Sequence, residues 1–145
     1  MNYKDYTLAI LDNLGIHQVF RGCEYIMYGI EYLLSLEKNV APDSEMIYNF
    51  AAEKFVLEPT AIENSMRNVI QAIWTNKENP QLMQDIFGAH NMDKRPSNLE
   101  FLMLLYNYIR HQKTSSDTLT KLDEIWENSK RVYLESKQTI NLQNE

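Results

Sequence analysis

Residues Leu57 to Trp74 read LEPTAIENSMRNVIQAIW, and the fold turns on what this stretch is. At about 100° per residue, Ile62, Met66, Val69, Ile70 and Ile73 gather on one face. Ala61, Asn64, Asn68, Gln71 and Thr75 fall opposite, with Arg67 on the flank. That partition predicts an amphipathic helix. Thr60 followed by Glu63 has the form of a capping box, in which the hydroxyl takes an orphan backbone N–H and the carboxylate reaches back, so the helix is predicted to start at Thr60. Pro59 keeps the residue before it extended. The helix looks like the second of a helix-turn-helix whose outer face is polar but short of positive charge.

Working outward, the segment from about Ser44 to Phe55 predicts a third helix burying Ile47, Phe50, Ala51 and Phe55, and the short VLEP link suits a helix-turn-helix. Before it, a first helix from about Tyr3 to Leu14 carries Tyr3, Tyr6, Ile10 and Leu14 on one face and stops at Gly15. A second, from about Gln18 to Leu36, presents Phe20, Cys23, Met27, Ile30 and Leu34 inward, with Gly22 and Gly29 marking close helix packing. After it, Asn79 caps a short fifth helix with Pro80 in its first turn, which buries Leu82, Met83, Ile86 and Phe87 before Gly88 ends it. Ser97 with Glu100 makes a second capping box and opens a sixth helix that turns Leu99, Leu102, Met103, Tyr106 and Ile109 inward. With four glycines and no alternating apolar pattern, strands are not predicted; the class is all-α.

At 145 residues and 44% hydrophobic, the chain suits one main domain with appendages. The net charge of -6 argues against a general nucleic-acid binder, because such affinity comes mainly from Lys and Arg neutralising phosphates; DNA binding must come from a local patch. Cys23 is the only cysteine, and the N-terminus lacks the layout of a signal peptide, so a reduced, cytoplasmic protein is expected. No apolar run approaches the roughly 20 residues of a membrane span.

The order of LGIHQVFRG, IYNFAAEKF, PTAIENSMRNVIQAIW, IFG and KRPSNLEF resembles the C-terminal effector domain of the stage-zero sporulation protein A family, the sporulation response regulators of endospore-forming bacteria. The resemblance runs from about Leu11 to Lys113, and RNVIQAIW and KRPSNLEF are its most specific pieces. It implies an all-helical domain that binds a short DNA box through its helix-turn-helix and pairs with itself on tandem boxes. A phosphorylated receiver domain normally precedes it. Here the first helix begins at about Tyr3, so a stand-alone effector domain is expected.

The family pattern carries basic residues at the positions of Ala61 and Asn64 and a histidine at Asn68, whereas Glu63 and Arg67 match. Arginine to guanine is the commonest specific major-groove contact, and asparagine and glutamine pair with adenine. The candidate reading set of Thr60, Ala61, Asn64, Arg67, Asn68 and Gln71 therefore points to a site with more A·T pairs. Each member has a plainer reading as solvated surface, Glu63 as a cap, and Arg67 as its ion-pair partner one turn on. Lys94 and Arg95 are the candidate phosphate contacts; Lys54 and Lys113 serve either phosphates or helix dipoles, and Arg110 and His111 complete the basic groupings. From Met46 to Asn76, Lys54 and Arg67 stand against Glu53, Glu58 and Glu63, a net of -1 that disfavours a polyanion.

His17, His90 and His111 lie far apart, with no metal-ligand spacing, phosphate-cradling glycine loop or nucleophile elbow, so no enzyme activity, metal or cofactor is expected. Beyond residues 1–113, residues 114–145 read as an appended seventh helix from about Asp117 to Lys137, striped by Leu119, Leu122, Ile125, Trp126, Val132 and Tyr133, and a fraying tail. The stripe docks on the main domain, forms a homodimer contact, or holds a partner helix. The leading expectation is a sequence-specific regulator bound to double-stranded DNA. The alternative is a degenerate effector domain that no longer reads DNA and acts as an interaction module or decoy for a full-length regulator.

Overall fold

The computed structural model describes residues 3–17, 21–114 and Ile125. Among these residues six helices follow in order: α1 (Tyr3–Asn13), α2 (Arg21–Ser35), α3 (Ser44–Phe55), α4 (Pro59–Asn76), α5 (Pro80–Phe87) and α6 (Asn98–Thr114), with a 3₁₀ turn over Ala89–Asn91. The described residues contain no strand, and the class is all-α.

α2 is the hub, packing against α1, α3, α4 and α6. Its glycines permit this. A Cβ at Gly22 would lie 2.5 Å from Val69 Cγ2 and 2.6 Å from the Ser65 carbonyl oxygen, so α2 and α4 meet backbone to backbone there. Because neighbours surround α2, its buried set is Cys23, Tyr25, Ile26, Ile30 and Leu33; Met27 is half-buried and Leu34 is 38% exposed. The expected face therefore holds at Cys23 and Ile30 and slips by one position at Met27 and Leu34, and Gln18 and Phe20 lie outside the described residues. α6 shows the same slip. It buries Phe101, Leu102, Leu105, Tyr108 and Ile109, whereas Met103 is 37% exposed and Leu99 and Tyr106 are half-buried.

Most ends follow local chemistry. α1 closes with the Ile16 N–H on the Leu11 carbonyl at 2.9 Å, a bond that needs Gly15 at φ +97°. Asp43 caps α3 through the Glu45 N–H at 2.8 Å. Asn79 caps α5 through the Leu82 N–H, while its amide donates to the Asn13 carbonyl and ties α5 to the end of α1. At α6 the Glu100 N–H donates to Ser97 Oγ at 3.1 Å, and the hydroxyl donates back to the Glu100 carboxylate at 3.2 Å.

α4 starts differently from expectation. Its N-cap is Glu58 in extended conformation with no side-chain bond, and Pro59 opens the first turn. The Ala61 and Ile62 N–H groups already close on the Glu58 carbonyl, so Thr60 lies inside the helix and caps nothing. Proline at the first helical position has a preset φ and no N–H to satisfy, and that placement overrides the Thr60–Glu63 pairing. Just before it, Val56 ends α3 in the left-handed region at φ 54° and is 90% exposed. The Leu57 N–H closes on the Ala52 carbonyl there, which holds the sharp α3–α4 turn at the steric expense of a β-branched residue.

The core between α4, α5 and α6 is aromatic. Trp74 lies 5.0 Å from Phe87 and 6.1 Å from Phe101, those two rings stack at 4.9 Å, and the indole N–H donates to the Asn91 carbonyl at 2.7 Å. Phe50 and Phe55 of α3 are half-buried rather than buried: Phe55 meets Tyr25 and Tyr28 edge-on, and Phe50 tilts against Tyr32. The expected seventh helix lies outside the described residues apart from Ile125. That side chain is buried in the core, and its carbonyl accepts from Asn13 Nδ2 at 3.2 Å.

Candidate nucleic-acid interface

α4 divides as its sequence requires. Ile62, Met66, Val69, Ile70, Ile73 and Trp74 are buried, while Thr60, Ala61, Asn64, Arg67, Asn68, Gln71 and Thr75 are exposed. The inner face holds the helix on α2, α3 and α6, leaving the polar face uncovered by the described residues.

On the outer face the side chains are bonded to one another. Arg67 Nη2 lies 2.8 Å from Glu63 Oε1, and Nη1 donates to Asn64 Oδ1 at 3.0 Å. Arg67's charge is therefore balanced by a carboxylate on the same surface, and the exposed pair contributes little to stability. Further along, Gln71 Nε2 donates to Thr75 Oγ1 at 3.0 Å, and Arg95 Nη1 donates to Gln71 Oε1 at 2.9 Å. Arg95 thus belongs with the α4 face. Lys94 beside it is exposed.

Asn98, the first residue of α6, fixes the loop that carries these cations. Its buried amide donates to the Tyr48 hydroxyl and to the Glu63 carbonyl, both at 3.1 Å, tying α6 to α3 and α4. Burial pushes the Tyr48 phenol above its ordinary pKa; the Asn98 bond pulls it down, Glu63 raises it and Arg67 lowers it. Reasoning from sequence missed Asn98 and Tyr48. The available signal was an amide directly after the Ser97 cap, a place where a polar side chain is drawn into the packing.

The other basic residues divide. Lys54 sits over the rings of Phe50 and Tyr28, at 5.3 and 5.5 Å, and Arg110 over Tyr106 at 5.4 Å, so both cover aromatic faces. His17 pairs with Asp12 at 2.7 Å, and Cys23 is buried with its thiol pushed up to about 12, mainly by desolvation. Among the described residues, no group of three His, Cys, Asp or Glu side chains could hold a metal, and no helix is long and apolar enough to cross a membrane. A cleft of about 150 Å³ between α2 and α4, lined by Arg21, Ser65 and Asn68 among others, is smaller than the roughly 300–1,000 Å³ typical of small-molecule sites.

Residues 7–109 match the family described as sporulation initiation factor Spo0A C terminal, and no solved structure matches the chain. The match spans most of the 145 residues, and the chain belongs to this family of DNA-binding effector domains.

Proposed function

We propose that this member of the Spo0A C-terminal family is a sequence-specific transcription regulator that lays α4 in the major groove of double-stranded DNA, with α3 as the first helix of a helix-turn-helix. The observation that carries the reading is the uncovered polar face of α4, on which Asn64, Arg67, Asn68 and Gln71 are all exposed. Amides of that kind pair bidentately with adenine, and Arg67 can exchange Glu63 for a guanine edge. Thr60 and Ala61, in the first turn, lie where a helix entering the groove approaches the backbone and bases. Lys94 and Arg95 flank the same face and supply the charge α4 lacks. Like others of its kind it would pair on tandem sites, and it needs no cofactor.

A second reading is favoured by the Arg67–Glu63 pair, which neutralises the one cation on α4. In it the chain keeps the fold, has lost DNA reading, and acts as a protein-interaction module or decoy for a full-length regulator. Selection from random duplexes, followed by binding measurements across a salt series, separates the two. The first reading expects a box richer in adenine contacts, with affinity falling as salt rises. Absence of salt-dependent binding to any duplex at low ionic strength sinks it and leaves the second.

A further inference from the structure

We infer that Arg95 is a base-reading residue, delivered onto the α4 face from the α5–α6 loop, and that Gln71 is its positioning partner. The inference rests on the proposed DNA-reading role of α4 and assigns Arg95 a different task from Lys94, its neighbour in sequence.

Three observations lead there. The Arg95 guanidinium is fixed by its 2.9 Å bond to Gln71 Oε1, and Gln71 is held in turn by Thr75, so Arg95 does not sweep freely as a phosphate-seeking surface cation would. Its partner is a neutral amide, and among the described residues no carboxylate pairs with it, whereas Arg67 is paired with Glu63. The loop that carries it is anchored on both sides, before it by the Asn91 carbonyl bonded to the Trp74 indole and after it by buried Pro96 and by Asn98 bonded to the Glu63 carbonyl. Arg95 and Asn98 therefore grip α4 at Gln71 and at Glu63, and the KRPSN segment runs along the helix as a flank of the same surface.

The chemistry that fits is a guanine edge. A guanidinium has a fork of donors, and the Gln71 bond occupies only part of Nη1, so donors remain to pair with O6 and N7. A preset, half-buried fork loses less freedom on binding than a free side chain. The box would then contain a guanine beside the adenine contacts of Asn64 and Asn68, recovered through a residue outside the reading helix, while Gln71 holds Arg95 rather than a base.

The test uses the full chain and a panel of duplexes, each differing from the selected box at one base pair, bound across a salt series. Arg95→Ala should abolish discrimination at a single G·C pair by about tenfold or more. Arg95→Lys, which keeps the charge and is the safer variant for folding, should preserve the salt slope without restoring that discrimination. Lys94→Ala should weaken every duplex alike and flatten the salt slope by about one unit. If Arg95→Ala instead weakens all duplexes equally and Arg95→Lys restores affinity, Arg95 holds phosphate and the inference is overturned while the DNA reading stands. Failure of the unmodified protein to bind any duplex removes both.

Discussion

The side-chain amide of Asn98 donates to the main-chain oxygen of Glu63 at 3.1 Å, so the first residue of α6 is fastened to the second turn of α4. The same nitrogen serves the Tyr48 hydroxyl. Asn98→Ala leaves a half-buried phenol and a carbonyl without that donor, and such losses cost about 1–3 kcal/mol. We expect a lower melting temperature and a Tyr48 phenol raised further, because the bond that pulls it down is gone. Alkaline absorbance titration of wild type and variant checks the second point. An unchanged Tyr48 titration would show the bond to be absent in solution.

Two threonine and serine positions with similar sequence signatures should behave unlike each other. Ser97 caps α6 through the Glu100 N–H, and Ser97→Ala should cost about 0.5–2 kcal/mol. Thr60 is exposed within α4 and caps nothing, so Thr60→Ala should stay within about 0.5 kcal/mol of wild type. Denaturant melts of both variants test the pair. Equal losses would mean that α4 starts at Thr60 after all.

Cys23 gives the protein an alkaline limit. Its thiol is raised from 9.0 to about 12 in the folded state, by desolvation first and then by Glu24 and Asp12. The folded state therefore holds the proton more tightly than the unfolded chain. Stability from this source is complete below pH 9 and is lost as pH rises towards 12. Cys23→Ala should flatten the decline in melting temperature between pH 9 and 11, whatever it does to stability at neutral pH. At pH 8 a thiol reagent should label Cys23 only as fast as the domain opens.

Ile125 lies against the end of α1, with its side chain in the core and its carbonyl accepting from Asn13. Ile125→Ala should destabilise by about 2–5 kcal/mol, in the range for buried aliphatic truncations. Removing residues after Ser115 should lower the melting temperature at least as much. Sedimentation of both proteins distinguishes an internal strut, which leaves mass unchanged, from a dimer contact. A truncated protein with wild-type stability would show that this docking contributes nothing.

How much was legible in the sequence depends on how many neighbours each helix has. α4 was read correctly on both faces because one side packs and the other is uncovered, so its apolar positions have a single phase. α2 meets four other helices, and spacings of three and four fit several phases around it, so Met27 and Leu34 were misplaced. Stops and caps at Gly15, Asn79, Gly88 and Ser97 are local chemistry and were readable. At Thr60 two local signals overlapped, and the proline prevailed. Exposure of the outer face of α4 was legible, but the Arg95–Gln71 bond was not, since it joins residues 24 apart through the packing of α6.

Trp74 lies on the inner side of α4, with its indole N–H bonded to Asn91 and its ring against Phe87 and Phe101. The only other tryptophan is Trp126, so a Trp126→Phe protein, excited at the red edge where tyrosine does not absorb, carries a single indole behind the surface proposed to touch DNA. Emission from that indole reports on the aromatic packing beneath the helix and is shielded from quenchers in solvent. A duplex that seats on a rigid α4 would leave its colour unchanged, whereas one that prises the helix away from α5 and α6 would redden it, so one optical signal distinguishes docking from remodelling.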